Sequence, residues 1–213
     1  MSYKRNQIED AIARIFDPNC KKPPSELRTR IKRLLNLDRS IGRKPRSKDP
    51  EEANFGFFGE EAPGTGADVL FSEYEAFALL NGLIILNHRW PQSFAVSIMR
   101  RVRSDLEREH ARILRQDPKK LFDQQAMIAG ARPGDIAVTN TDPVFLTLAS
   151  KAQHPPDRGE TAPLSAVCRG MEKVGEFSRY VGASSVMMFE LVTLAHVLHA
   201  ELMKTKPRRR GRG

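Results

Sequence analysis

Two cysteines in 213 residues, Cys20 and Cys168, stand with no second ligand pattern beside either, which argues against a disulfide framework and a structural zinc site. Aromatic residues are scarce at 7%, and Phe55, Phe57 and Phe58 form their tightest group. No charge-free run of about 18 apolar residues occurs, and the opening MSYKRNQIEDAIARIF has no apolar signal core. The chain is therefore expected to be cytoplasmic, with no membrane partner.

Signatures of catalysis are missing too. Gly64-Thr65-Gly66 is followed by no Gly-Lys-Ser/Thr and is not a phosphate-binding loop. Ser165 and Cys168 lie in no Gly-x-Ser-x-Gly elbow. His196 and His199 share one side of a predicted helix, but no HExxH pattern surrounds them and the wheel sends Glu201 to the opposite side. His88, His110 and His154 have no companion ligand in a recognisable pattern. These absences set the expectation of no enzyme, no cofactor and no metal.

What the chain does have is positive charge. The net charge of +9 and the pI near 9.8 favour an anionic partner, with nucleic acid foremost. Residues 1–50 hold 14 Lys/Arg against 6 Asp/Glu, and the last ten hold six Lys/Arg and no acid. With 40% hydrophobic and 29% charged residues, the composition is that of a folded domain.

Residues 5–16 read as a short helix with Ile8, Ala11, Ile12, Ile15 and Phe16 on one face, ended by Asp17-Pro18-Asn19. A second helix is predicted over 25–36, with Leu27, Ile31, Leu34 and Leu35 facing inward. Ser25, Thr29, Lys32, Arg33 and Asn36 then project away from the apolar side, and Arg28 and Arg30 flank it. A turn followed by a helix with such a face is what a helix-turn-helix reader of the major groove needs; an ordinary solvated Arg-rich face is the plainer alternative.

Residues 43–70 read as a wing. Arg43, Lys44, Arg46 and Lys48 form a basic run, and 55–59 and 67–71 are predicted to make a hairpin around Pro63-Gly64-Thr65-Gly66. The three phenylalanines are read as packing that hairpin on the core, with stacking on unpaired bases as the alternative. Next comes the most apolar stretch. A helix over 72–87 opens with Ser72, Glu73 and Glu75 and is apolar on nearly every side, which places it at the centre of the core. After Trp90-Pro91 a second long helix over 92–116 ends in mixed charge, including Arg100, Arg101 and Arg103, and is read as leaving the core for solvent.

The order helix, turn, basic helix, hairpin, then a helix opening Phe71-Ser72-Glu73-Tyr74-Glu75 resembles the winged-helix domain of MerR-type transcription regulators over about residues 3–105. The resemblance implies DNA binding and a dimer contact on the long helix that follows. It is incomplete: the inter-helix turn is longer than that family's and its Gly-Val-Ser turn is missing.

Beyond Asp117-Pro118, a short helix over 119–129, strands at 136–139 and 144–148, and a strand-then-helix segment over 166–180 are expected. A final helix over 186–203 is apolar except for a stripe of Glu190, Thr193 and Glu201, so it must be covered by its own domain or by a second copy. Residues 204–213, with Arg208, Arg209 and Arg210, are too polar to fold and suit phosphate contact.

The combined reading is a mainly α, α+β protein with a winged-helix-like DNA-binding domain over 1–116. An α+β association domain over 117–203 and a disordered basic tail follow. Its expected function is DNA binding, as a homodimeric transcription regulator. The expected DNA-contacting residues are Ser25, Arg28, Thr29, Lys32, Arg33, Arg43, Lys44, Arg46, Lys48, Arg208, Arg209 and Arg210. An adaptor with loose nucleic-acid contacts, or a protein partner held by the C-terminal domain, is the alternative from another class; RNA binding is a third.

Overall fold

The computed structural model describes residues 1–59, 69–131, 139–150 and 162–207. In chain order these form β1 (Ser2–Lys4), α1 (Arg5–Phe16), α2 (Ser25–Ile41), α3 (Pro50–Ala53), β2 (Leu70–Ser72), α4 (Glu73–Asn87), α5 (Gln92–Arg101) and α6 (Arg103–Leu114). They continue as α7 (Pro118–Leu121), α8 (Gln124–Gly130), β3 (Val144–Ser150), β4 (Leu164–Arg169), α9 (Gly170–Val181), β5 (Ser185–Glu190) and α10 (Val192–Met203). The result is mainly helical with small antiparallel sheets, an α+β protein. It packs as two units: unit 1 is Met1–Arg103 with Val197–Gly213, and unit 2 is Ser104–His196. This division differs from one drawn at 116 and 203. The stretch read as one helix breaks at Val102, and the second half of α10 belongs with unit 1.

In unit 1, α4 is the centre, as its apolar girth requires. Phe77, Leu79, Leu80, Leu83 and Ile85 are wholly buried. Its start is fixed by a reciprocal cap: the Glu75 N–H donates to Ser72 Oγ at 3.1 Å and the Ser72 N–H donates to Glu75 Oε2 at 2.6 Å. Helix α1 has the predicted bounds, with Ile8, Ala11 and Ile12 turned inward. Helix α2 runs past Asn36 to Ile41 and stops at Gly42, whose φ of +69° suits a residue without Cβ. Lys204 to Pro207 follow α10. Here the Arg14 Nε donates to Glu201 Oε2 at 2.6 Å and Gln7 Nε2 donates to Thr205 Oγ1 at 3.2 Å. Leu198 and Leu202 are buried, so this half of α10 finds cover within its own chain.

The extra turn of α2 exists because Asp38 has a buried partner. The Arg100 Nε donates to Asp38 Oδ1 at 2.6 Å, with the two residues 1% and 0% exposed. The Gly56 and Phe57 amides donate to the same carboxylate at 3.1 and 2.9 Å. Arg100 Nη2 also donates to the Asp38 carbonyl at 2.6 Å. This overturns the reading of Arg100 as part of a solvated mixed-charge face. It also explains why 55–59 is not a strand: amides bound to a carboxylate cannot join a ladder. Leu70–Ser72 pairs instead with Ser2–Lys4, in the register Tyr3↔Phe71. The rest of the predicted hairpin, 60–68, lies outside the described residues. Phe55, Phe57 and Phe58 are buried, and Phe57 lies so close to α4 that a Cβ on Gly82 would sit 2.9 Å from its ring.

In unit 2, β3 is the middle strand of a sheet ordered β4-β3-β5. Both of its faces are buried, which is why Val144 to Ala149 is continuously apolar except for Thr147. The predicted strand at 144–148 and the strand-to-helix switch within 166–180 are found as β3, β4 and α9. The predicted strand at 136–139 falls mostly outside the described residues. The single helix expected over 186–203 is corrected. Ser185–Glu190 is a strand paired with β3, and the helix begins only at Val192. Glu190 sets the switch, since its carboxylate accepts the Val192 and Thr193 amides at 2.7 and 2.9 Å. Likewise the 119–129 helix divides into α7 and α8, because Asp123 caps a new start at Gln125 and Ala126.

Candidate nucleic-acid interface

Helix α2 places its side chains as the wheel requires. Leu27, Ile31, Leu34 and Leu35 are buried, while Ser25, Arg28, Thr29, Lys32, Arg33 and Asn36 are exposed. Five of the expected contact residues therefore share one accessible helix face.

Charge on that face is largely uncompensated. Several other cations of unit 1 are engaged: Arg5 with Glu9 at 3.1 Å, Arg14 with Glu201 at 2.6 Å, Arg100 with Asp38 at 2.6 Å and Arg101 with Glu51 at 2.8 Å. Arg103 donates to the carbonyls of Phe55 and Phe58 and lies over the Tyr74 ring at 5.1 Å. By contrast, no carboxylate lies at ion-pair distance from Arg30, Lys32 or Arg33 among the described residues. Arg28 is a partial exception. Burial pushes the Glu9 carboxyl above its usual range, and the charges of Arg5 and Arg28 pull it partway back.

The basic run after α2 is less free than its sequence implies. Arg43 stacks over the Phe55 ring at 5.8 Å. Lys44 Nζ lies 2.8 Å from Glu52 Oε1, and Ser47 Oγ donates to the other oxygen of the same carboxylate at 2.9 Å. These bonds hold Lys44 above and Glu52 below their ordinary pKa values. Arg46 and Lys48 are exposed. Arg208, Arg209 and Arg210 lie outside the described residues.

One feature of the surface went unread in the sequence. A groove of about 520 Å3 runs beside α2, lined by Ser25, Glu26, Thr29, Arg30, Arg33, Leu86 and Gln92. Its far wall comes from the ends of α4 and α5, some 60 residues away in sequence by the numbers of Arg30 and Gln92, so helix periodicity could not reveal it.

The histidines take other roles. His199 Nδ1 lies 2.6 Å from Glu73 Oε1 in unit 1, and the His196 ring meets Phe122 edge-on at 5.6 Å in unit 2. No group of three metal-ligating side chains occurs among the described residues. No described helix is long and apolar enough to cross a membrane. Comparison with protein-family models, with curated proteins and with solved structures finds no match to this chain.

Proposed function

We propose that the chain is a DNA-binding regulator whose α2 enters the major groove, in an arrangement related to the winged helix. The observation that carries this reading is the polar face of α2, where the exposed Lys32 and Arg33 and the half-buried Arg30 have no carboxylate at ion-pair distance among the described residues. Exposed cations with no acidic neighbour leave a positive potential on this face, which attracts a polyanion. Thr29 and Asn36 add hydrogen-bonding side chains to the same face, as base-edge readout requires. Arg46, Lys48 and the tail from Lys204 supply phosphate contacts that carry no sequence information. Lys44 is assigned to closing its own loop through Glu52 rather than to DNA. Two copies on a two-fold-symmetric site complete the proposal.

Selection from random duplexes over a salt series, with sequencing of the retained pool, tests it. Arg33→Ala is expected to cost about 1–3 kcal/mol on the selected site and to relax preference at one position. Equal loss on every duplex would reduce Arg33 to a phosphate contact. Full function after replacing the whole face would favour the adaptor reading. Stronger retention of RNA than of DNA would favour the third.

A further inference from the structure

The polar arc of α2 has two flanks. At about 100° per residue, Thr29, Arg33, Glu26 and Arg30 fall on one side of it, and Arg28, Lys32 and Asn36 on the other. The first flank is the one that lines the groove shared with Leu86 and Gln92. Arg30 is half-buried there, and neither it nor Arg33 has a carboxylate at ion-pair distance among the described residues. Between Leu86 and Gln92 the chain turns through Arg89, an exposed arginine whose φ of 65° makes it the sole non-glycine residue with positive φ among the described residues. Its amide donates to the Leu86 carbonyl at 3.0 Å, which fixes the turn against the end of α4.

We infer that this groove grips the DNA backbone, with Arg30 as the anchoring cation on one wall and Gln92 on the other, and with the exposed Arg89 of the adjoining turn as a further cation for the same strand. The inference rests on the DNA-binding reading of α2. Its physical basis is size and charge. A helix about 10–12 Å across with its side chains nearly fills a major groove about 12 Å wide, so the flanks of a docked helix meet phosphates rather than base edges. The groove set is rich in donors: two guanidinium forks, the Gln92 amide and the Ser25 hydroxyl, against the single acid Glu26. Guanidinium forks match phosphate oxygens in pairs, and Arg30, at the outer edge of this flank, takes the strand while Arg33, nearer the middle of the arc, keeps its place toward the bases. The α4–α5 turn then clamps that strand from outside while Lys32, Arg33 and Asn36 face the bases.

The test uses the full chain and short duplexes of both selected and scrambled sequence. Arg30→Gln is expected to lower affinity about eightfold at about 0.1 M salt on every duplex and to reduce the slope of log K against log salt by about 0.9. Arg89→Gln should act in the same sense. Gln92→Glu places an acid in the first turn of α5, where it favours the helix, so its thermal midpoint should hold or rise while DNA affinity falls uniformly. Arg108→Gln, which loses only the exposed contact with Asp105, is the control and should change nothing. If wild type binds and the groove variants keep its affinity and salt slope, the clamp is overturned while the DNA reading stands. Sequence-dependent losses would overturn it as well, by turning the groove toward bases. If wild type retains no duplex at low salt, the DNA reading itself falls and takes the clamp with it.

Discussion

Replacing Asp38 by alanine is the sharpest perturbation the structure offers. The carboxylate accepts from Arg100 Nε at 2.6 Å, from the Gly56 amide at 3.1 Å and from the Phe57 amide at 2.9 Å. Its loss leaves a guanidinium whose side chain is 2% exposed and two amides without their acceptor. Breaking a buried pair from one side costs about 3–5 kcal/mol, and each abandoned amide about 1–3 kcal/mol, though the terms overlap and do not add. Against a total stability of about 5–15 kcal/mol, Asp38→Ala should therefore bring unit 1 close to unfolding. Urea denaturation followed by far-ultraviolet circular dichroism reads the loss. Arg101→Met is the matched control. Its ion pair with Glu51 is similar in length at 2.8 Å but its side chains are 26% and 37% exposed, so its loss should cost below about 1 kcal/mol. The double variant Asp38→Leu with Arg100→Met removes both charges, and should recover part of the loss but stay about 1–3 kcal/mol below wild type because the two amides remain unpaired. If Asp38→Ala costs no more than Arg101→Met, the carboxylate is not what holds residues 55–58 in place.

Gly82→Ala would normally strengthen a helix by about 1 kcal/mol, yet the added Cβ meets the Phe57 ring at 2.9 Å, so a net loss of about 1–3 kcal/mol is expected in the same denaturation assay. In unit 2, burial pushes the Asp142 carboxyl up, but hydrogen bonds from Gln116 and Arg169 and the charges of Arg169 and Arg112 outweigh it, leaving the pKa below its ordinary value. A carboxyl lowered on folding stabilises above its unfolded pKa of about 3.9 and loses that contribution as pH falls through the folded value; Asp142→Asn should flatten the acid limb of the stability curve measured below about pH 4. Cys168 is buried and burial pushes its thiol up, whereas Cys20 is half-exposed. Maleimide should therefore label Cys20 in the native protein and Cys168 only after unfolding; equal native rates would contradict the packing of β4.

Helices α1 and α4 were legible because their causes are local. A 3.6-residue apolar period marks the first, and Ser72 with Glu75 three residues on marks the start of the second. The last turn of α2 was not legible, because Asp38 in isolation reads as a surface residue and its partner Arg100 is 62 residues away inside an arginine-rich run. Strand β5 failed for a different reason. Val186 to Phe189 is a short apolar run, and such runs fit a buried strand and a buried helix equally until Glu190 is seen capping α10. At the candidate site, the exposed face of α2 followed from the wheel alone. The groove beside it did not, since Leu86 and Gln92 reach it from separate helices, and the engagement of Lys44 by Glu52 needed the loop conformation.

The discontinuity of unit 1 in sequence has a consequence for how the chain matures on the ribosome. Tyr3 has its hydroxyl at 4.0 Å from the Met203 sulfur, and Gln7 and Arg14 bond Thr205 and Glu201, so the partners of the earliest-made helix are among the last of that unit to be synthesised. All of Ser104–His196 must be translated in between. Until Val197 and the residues after it emerge, the face of α1 that they cover stays open to solvent and to chaperones. The delay comes from the order of synthesis, because the entropy of closing a loop rises only slowly with its length.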